Sequence, residues 1–277
     1  MLNLILAMAC SALVSVVMRV GSEGEQPRKP MLAVNYLACF AVSLLFLRRG
    51  AGVEGLGLAA GLGLVGGALY FGAFLLLQRN VRENGVAFSS LFMKLGVVVP
   101  TVMGLTLFHE QATATRLAGI AMTVGVALVL SGKPDAGGLK QSGLVWLLLL
   151  LLASGMADGL SKVYNAYGNP ALEGHFLCFI FAFALLLSAG LCLRLGQRPV
   201  PRDVLFGLLL GLPNYFSSRF LLLALYEVPA SVAFPVYACG TILITTACGR
   251  LLFGERITPR QGLALGMALA ALVLLNL

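Results

Sequence analysis

Eight side chains in this sequence have the type and position to act on a small molecule or a proton: Tyr70, Ser89, Lys94, Asp158, His175, Tyr215, Arg219 and Tyr237. Lys94 stands deep in an apolar run, Ser89-Ser90-Leu-Phe-Met-Lys94-Leu-Gly96. A charge inside a membrane is costly and by default points to function. It can neutralise an anionic ligand, pair with an acid, or snorkel along its own stem to the membrane surface. Arg219 follows Tyr215 by four positions, which puts both on one helix face. It lies nearer the end of its run, where snorkelling is easier, and a cavity role stays open beside that. Asp158 and Lys162 are also four apart, a favourable spacing for an ion pair. Asp158 has a second reading, because a carboxylate in low dielectric can exchange a proton in use. His175 is a natural switch near neutral pH, although a lone His at a helix end also suits an interface. Tyr70, Tyr215, Tyr237 and Phe74 could line a cavity, the tyrosines with an apolar body and a polar tip. With Ser89, Ser90, Asn214, Thr241 and Thr245 they form the mostly apolar, sparsely polar mixture found in small-molecule sites.

The elements that must position them are set by composition. The chain has 277 residues, of which 59% are hydrophobic and 11% charged. A soluble domain carries about 25% charged residues, so a water-soluble globule is excluded. Ten membrane helices of about 20 residues would use roughly 200 residues. That leaves short loops and no room for a further soluble domain. Charge-free stretches and their polar edges predict spans over 2–20, 31–48, 56–78, 86–108, 112–131, 141–163, 171–194, 203–225, 229–252 and 260–277. Residues 1–20 read as a retained first span rather than a signal peptide, since no basic region precedes the apolar run.

Several chemistries are excluded. Two histidines cannot build a multi-histidine metal site, and the six cysteines include no CxxC pair. Gly61-Leu-Gly63-Leu-Val-Gly66 matches a dinucleotide fingerprint, but a helix-length apolar run surrounds it instead of a βαβ unit. The Gly-Lys pair at 132–133 lacks the rest of a phosphate loop. HExxH, GxSxG and any basic-aromatic nucleic-acid pattern are absent. No cofactor, no metal, no nucleic acid and no enzymatic activity is expected. The net charge of +8 reads as basic loop ends beside a bilayer.

The two halves resemble each other. At a shift of 145 residues Phe108 meets Phe253, Glu110 meets Glu255 and Tyr70 meets Tyr215. Arg19 meets Lys162 at a shift of 143, and Asn35 meets His175 at 140. This divides the chain into a first repeat over 1–131, a linker over 132–140 and a second repeat over 141–277. Five spans per repeat is an odd number, so the second must enter the membrane in the opposite sense. Such inverted repeats are a common plan of secondary transporters, with binding near their interface. The expected fold is therefore an all-α integral membrane protein: ten transmembrane helices in two inverted five-helix repeats. Gly57/Gly61, Gly63/Gly67, Gly207/Gly211 and Gly262/Gly266 each form GxxxG and suit close helix approach. Pro100, Pro213 and Pro235 fall within spans and should bend them, either as packing kinks or beside a cavity.

Leu107-Phe108-His109-Glu110 with its following span, and Leu252-Phe253-Gly254-Glu255-Arg256-Ile257 with Thr258-Pro259, carry a resemblance. The chain resembles the drug/metabolite transporter superfamily in its EamA-type branch. His109 stands where that family usually has Gly. The resemblance implies a multi-pass carrier in the bacterial inner membrane, moving a small organic metabolite, amino acid or amphiphilic compound by alternating access. It implies a cavity from spans one, three, four, six, eight and nine, which contain Tyr70, Ser89, Lys94, Asp158, Tyr215, Arg219 and Tyr237. Proton coupling through Asp158 or His175 is an expectation, and a homodimer stays open. The alternative reading is a membrane interaction subunit or lipid-carrier-handling protein. The resemblance also implies both termini in the cytoplasm, and here the charges disagree. With Lys94 and Arg219 set aside, that orientation leaves only Arg48, Arg49, Arg116 and Lys162 inside, while every other Lys and Arg faces outward. Positive-inside bias favours the reverse.

Overall fold

The computed structural model describes residues 1–22, 29–48, 54–111, 113–130, 141–253 and 259–276. The linker over 132–140 and the Gly254–Thr258 turn with its Glu255 lie outside the described residues, as do the side chains of Arg19, Ser90, Lys94 and Phe253.

The described residues form helices joined by turns and short irregular segments. The helices are α1 (Leu2–Ser22), α2 (Lys29–Leu45), α3 (Leu56–Leu95), α4 (Val98–Thr106), α5 (Ala114–Leu130), α6 (Gln141–Tyr167), α7 (Glu173–Arg194), α8 (Pro201–Ala224), α9 (Ala230–Phe253) and α10 (Pro259–Asn276). Helix is the only way for a single apolar strand of chain to satisfy its own backbone in lipid. Among the described residues, five segments are long and apolar enough to cross a bilayer: Leu56–Asn80, Gly143–Tyr167, Pro170–Arg194, Pro201–Ala224 and Ala230–Leu252. Leu2–Met18, Lys29–Leu45, Ala114–Val129 and Pro259–Leu275 are apolar and shorter.

The expected boundary between the third and fourth spans is displaced. Helix is continuous through residues 79–85, and the interruption falls at Gly96-Val97 instead. Pro100 supplies the reason, because it has no N–H to donate back to Gly96. The 40 residues of α3 would measure about 60 Å if straight. They are not straight. A Cβ on Gly66 would come within 3.7 Å of Leu160, and one on Gly96 within 3.0 Å of the Gly155 backbone. Leu160 and Gly155 are little more than one helical turn apart, whereas Gly66 and Gly96 on a straight rod would be about 45 Å apart. The segment therefore doubles back, and its two legs both run beside α6.

Neighbouring helices pair as α1 with α8 and α9, α2 with α7 and α8, α3 with α6 and α7, α4 with α6 and α9, and α5 with α9 and α10. Leu4, Leu225, Ala230 and Leu275 share one core cluster, so the start of α1 and the end of α10 lie at the same face. This is the first face below. The ends of α1, α7 and α9 and the starts of α2, α8 and α10 lie at the second.

Two of the four GxxxG pairs are helix contacts. Gly63 and Gly67 lie against Phe176, Phe179 and Ile180 of α7, and Gly207 and Gly211 against Val34 and Ala38 of α2. Gly57, Gly61, Gly262 and Gly266 have nothing among the described residues within 4 Å of where a side chain would start.

Candidate functional site

A cavity of about 290 Å³ lies between α1, α2, α3, α6 and α8. Its polar lining is Asp158, Tyr70, Tyr36, Asn35, Asn214 and Ser154. The rest is apolar, including Val14, Met18, Met31, Phe74, Leu77 and Met93. It runs from mid-span toward the second face, where Met18 and Met31 stand near helix ends.

Each polar group is fixed by its own contacts. Asn214 donates to the Asn35 side-chain oxygen at 3.3 Å, which ties α8 to α2 across the cavity wall. The Tyr70 and Ser218 hydroxyls are 3.4 Å apart. Ser154 donates within its own helix to Leu150 O at 2.9 Å and also reaches Met93 O at 3.3 Å. That links α6 to the second leg of α3 where Gly96 and Gly155 touch.

Below the cavity, toward the first face, aromatic rings are stacked in series. Tyr70 meets Phe181 edge-on at 6.1 Å, Phe181 meets Tyr215 at 5.9 Å, and Tyr215 stacks on Phe46 at 5.6 Å. The Arg219 guanidinium lies 4.2 Å above Phe46, donates to the Tyr215 hydroxyl at 3.4 Å, and pairs with Glu173 at 3.4 Å. α2, α7 and α8 are thereby joined at that face by one charged and aromatic cluster.

A second clasp sits nearby. Glu110, in the turn after α4, accepts from the Ala230 and Ser231 amides at 2.9 and 2.8 Å and so caps α9. Lys162 completes it at 2.9 Å. Burial alone would raise the Glu110 carboxyl, but the hydrogen bonds from Ser231, Lys162 and Ala230 outweigh it and hold it below its usual range. The expected Asp158–Lys162 pair is not made: Lys162 reaches across to Glu110 in the turn after α4 instead, leaving Asp158 to the cavity.

Of the residues singled out in the sequence, Tyr70, Phe74, Asp158 and Asn214 line the cavity. Tyr215 and Arg219 belong to the closed cluster beneath it. Ser89 is buried on α3 outside the lining. Tyr237 lies 3.0 Å from the Ser217 hydroxyl, which also donates to Ala7 O, so it fastens α9 to α8 and α1. His175 is half-buried at the start of α7, and its Nδ1 is buried with no hydrogen-bond partner among the described residues. Lys94 follows the cavity residue Met93, but its side chain is outside the described set. Tyr36 and Ser154 were not singled out, and Asn35 entered only as a repeat match. A polar residue inside an apolar run was the available signal for all three. Among the described residues no three His, Cys, Asp or Glu groups converge to hold a metal.

Residues 141–277 match the EamA-like transporter family. An uncharacterized protein of Haemophilus influenzae is 25% identical over 280 residues, covering 98% of this chain and 96% of its own. A solved crystal structure shares the fold with a TM-score of 0.78 at 17% identity, over 99% of this chain and 94% of that one. The second half of the chain, residues 141–277, belongs to the EamA-like transporter family, and the whole chain shares the fold of that solved structure.

Proposed function

We propose that the protein is a secondary carrier for a small organic metabolite, amino acid or amphiphilic compound, working by alternating access in the bacterial inner membrane. The observation that carries this is the cavity itself: a mostly apolar pocket with one carboxylate, two tyrosines and an amide pair, bounded toward one face by packed aromatics and ion pairs. Such a pocket suits a molecule with an apolar body and a few polar groups. Asp158 is the coupling or recognition carboxylate, Tyr70 and the Asn35–Asn214 pair hold the ligand's polar groups, and Lys94 accepts an anionic group. Arg219, Tyr215 and Tyr237 act on closure rather than by direct contact in this state. His175, beside Glu173, is the second candidate for proton coupling.

Ten spans in two inverted repeats, 1–131 and 141–277, make this cycle reasonable. Renumbering each helix by five exchanges α1–α8 with α6–α3, α2–α8 with α7–α3, and α1–α9 with α6–α4, while α2–α7, α4–α9 and α5–α10 map onto themselves. Gly63 and Gly67 of α3, packed against α7, match Gly207 and Gly211 of α8, packed against α2, in the same way. Two equivalent packings can trade roles, which is what opening first to one side and then to the other requires. The four shorter helices still cover about 25 Å, enough for a thin or locally compressed bilayer.

The test is a ligand-stability screen on purified protein followed by uptake into proteoliposomes. A hit that raises the melting temperature and shows saturable uptake and counterflow supports the reading. Unsaturable current would make the protein a channel, and stable co-purification with one partner and no flux would make it an interaction subunit.

A further inference from the structure

The two faces of the molecule differ in charge in a way the helix arrangement makes plain. Lys29, Arg79, Arg194, Arg198, Arg202 and Arg260 stand at helix ends or in turns on the second face. Lys29 begins α2, Arg194 ends α7, and Arg202 and Arg260 are in the first turns of α8 and α10. Arg79 lies over Trp146, near the start of α6, at 3.6 Å, which fixes that end of the first α3 leg to the same side. The first face offers Arg48, Arg116, Lys162 and Arg219, and there Lys162 is neutralised by Glu110 and Arg219 by Glu173, while Arg116 donates to Gln111 O at 3.2 Å. Glu54, Glu173 and Glu227 belong to the first face as well.

We infer that the second face is the cytoplasmic one, docked against the anionic inner leaflet, so that the start of α1 and the end of α10 face outward. Lys and Arg beside span ends are retained on the cytoplasmic side during insertion and are then attracted by the negative surface potential of that leaflet. This reverses the orientation that the family resemblance implies. It also gives the observed conformation a direction. The cavity runs from mid-span toward the basic face, and the Phe46–Tyr215–Arg219–Glu173 cluster closes the other. In this state the carrier takes its ligand from the cytoplasm. The inference rests on the proposed inner-membrane location.

The test uses the full chain. Alkaline phosphatase fused to the C-terminus should be active and a fluorescent protein at the same place dark. Independently, Glu227→Cys should react with a membrane-impermeant maleimide in intact cells at least tenfold more than the unsubstituted chain. Arg198→Cys should react only after permeabilisation. The opposite pattern, or labelling of both positions from outside, overturns the orientation. Fractionation is read separately: a chain recovered outside the inner membrane overturns the location and this inference together, whereas reversed labelling within that fraction overturns the inference alone.

Discussion

Glu110 and Ser231 are 121 residues apart in sequence and joined by a 2.8 Å hydrogen bond from the Ser231 amide to the Glu110 carboxylate. The first half of the chain thus supplies the N-terminal cap for a helix of the second. A carboxylate there satisfies two amides that would otherwise lack partners and meets the positive end of the helix dipole. Glu110→Ala should cost about 1–2 kcal/mol. Glu110→Gln should lose less, since it keeps an acceptor but gives up the charge facing Lys162. The carboxyl is held below its ordinary value of 4.5, so the unfolded state binds the proton more tightly. The stabilisation is then complete above about pH 4.5 and is lost as pH falls through the folded-state value. Thermal melts in detergent from pH 7 down to pH 3 would check this. The wild type should lose the advantage it holds over Glu110→Gln, and a constant gap across that range would contradict the assignment.

The Arg219–Glu173 pair makes a different prediction, because both side chains are less than one-fifth exposed. Removing one partner leaves a desolvated charge. Arg219→Ala or Glu173→Ala alone should therefore destabilise by about 2 kcal/mol or more, and the double replacement by less than the sum. Arg219→Lys should not rescue fully, as an ammonium cannot both lie flat over Phe46 and reach Glu173 and Tyr215. A double-mutant cycle read by melting temperature settles the coupling. Strict additivity would mean that the two charges act independently.

Much of this architecture can be read from the sequence, for identifiable reasons. Runs such as 141–163 and 171–194 are long, apolar and bounded by polar residues, so their helices were fixed by patterning alone. The boundary at 79–85 was misplaced because Arg79, Arg82 and Glu83 mimic a loop, while the local chain keeps helical hydrogen bonds and Pro100 forces the break further on. Tyr70 and Asp158 were legible as pocket residues because a polar group in an apolar span has few uses. Arg219 was legible as important but not as closed: its partners Phe46 and Glu173 come from the turn after α2 and from α7, and helix spacing carries no information about contacts that distant. Lys162 misled for the same reason, since the i,i+4 partner was at hand and the better one, Glu110, lay in a distant turn.

His109 occupies the turn that begins the Glu110 clasp with φ at +49°, in the left-handed region. Gly reaches that region without the clash of a Cβ. This gives a physical reason for the Gly that the resembling family usually has there. His109→Gly should stabilise the turn by about 0.5–1 kcal/mol, less the added entropy of the unfolded chain. His109→Val should lose more than 1 kcal/mol, because a β-branched residue tolerates positive φ poorly. Melting temperatures of the two variants in one detergent suffice, and a Gly variant less stable than wild type would show that the imidazole makes a compensating contact.

Asp158 faces the cavity while its sequence neighbour Lys162 is committed to Glu110. If the carboxylate couples protons to ligand movement, Asp158→Asn should abolish uptake driven by an imposed pH gradient, by at least tenfold, while exchange of ligand across the membrane continues. Purified protein in proteoliposomes gives both readings side by side. An unchanged response to the gradient would remove Asp158 from the coupling role, and equal loss of driven uptake and exchange would make it a ligand-contacting residue instead.

The glycine pairs offer a test of packing with an internal control. A Cβ at Gly67 would stand 2.6 Å from the Ile180 carbonyl oxygen, and one at Gly211 2.3 Å from the Ala38 Cβ, so both helix pairs would have to move apart. Lipid gives helices no hydrophobic reason to stay together once backbone approach is lost. Gly67→Ala and Gly211→Ala should each cost about 1–3 kcal/mol. The equal sizes follow from the equivalent α3–α7 and α2–α8 contacts. Gly61→Ala faces open space and should be neutral or slightly stabilising, since Ala favours helix. A Gly61 variant as damaged as the other two would show that its face is covered in the membrane, by lipid held tightly or by a second copy of the chain.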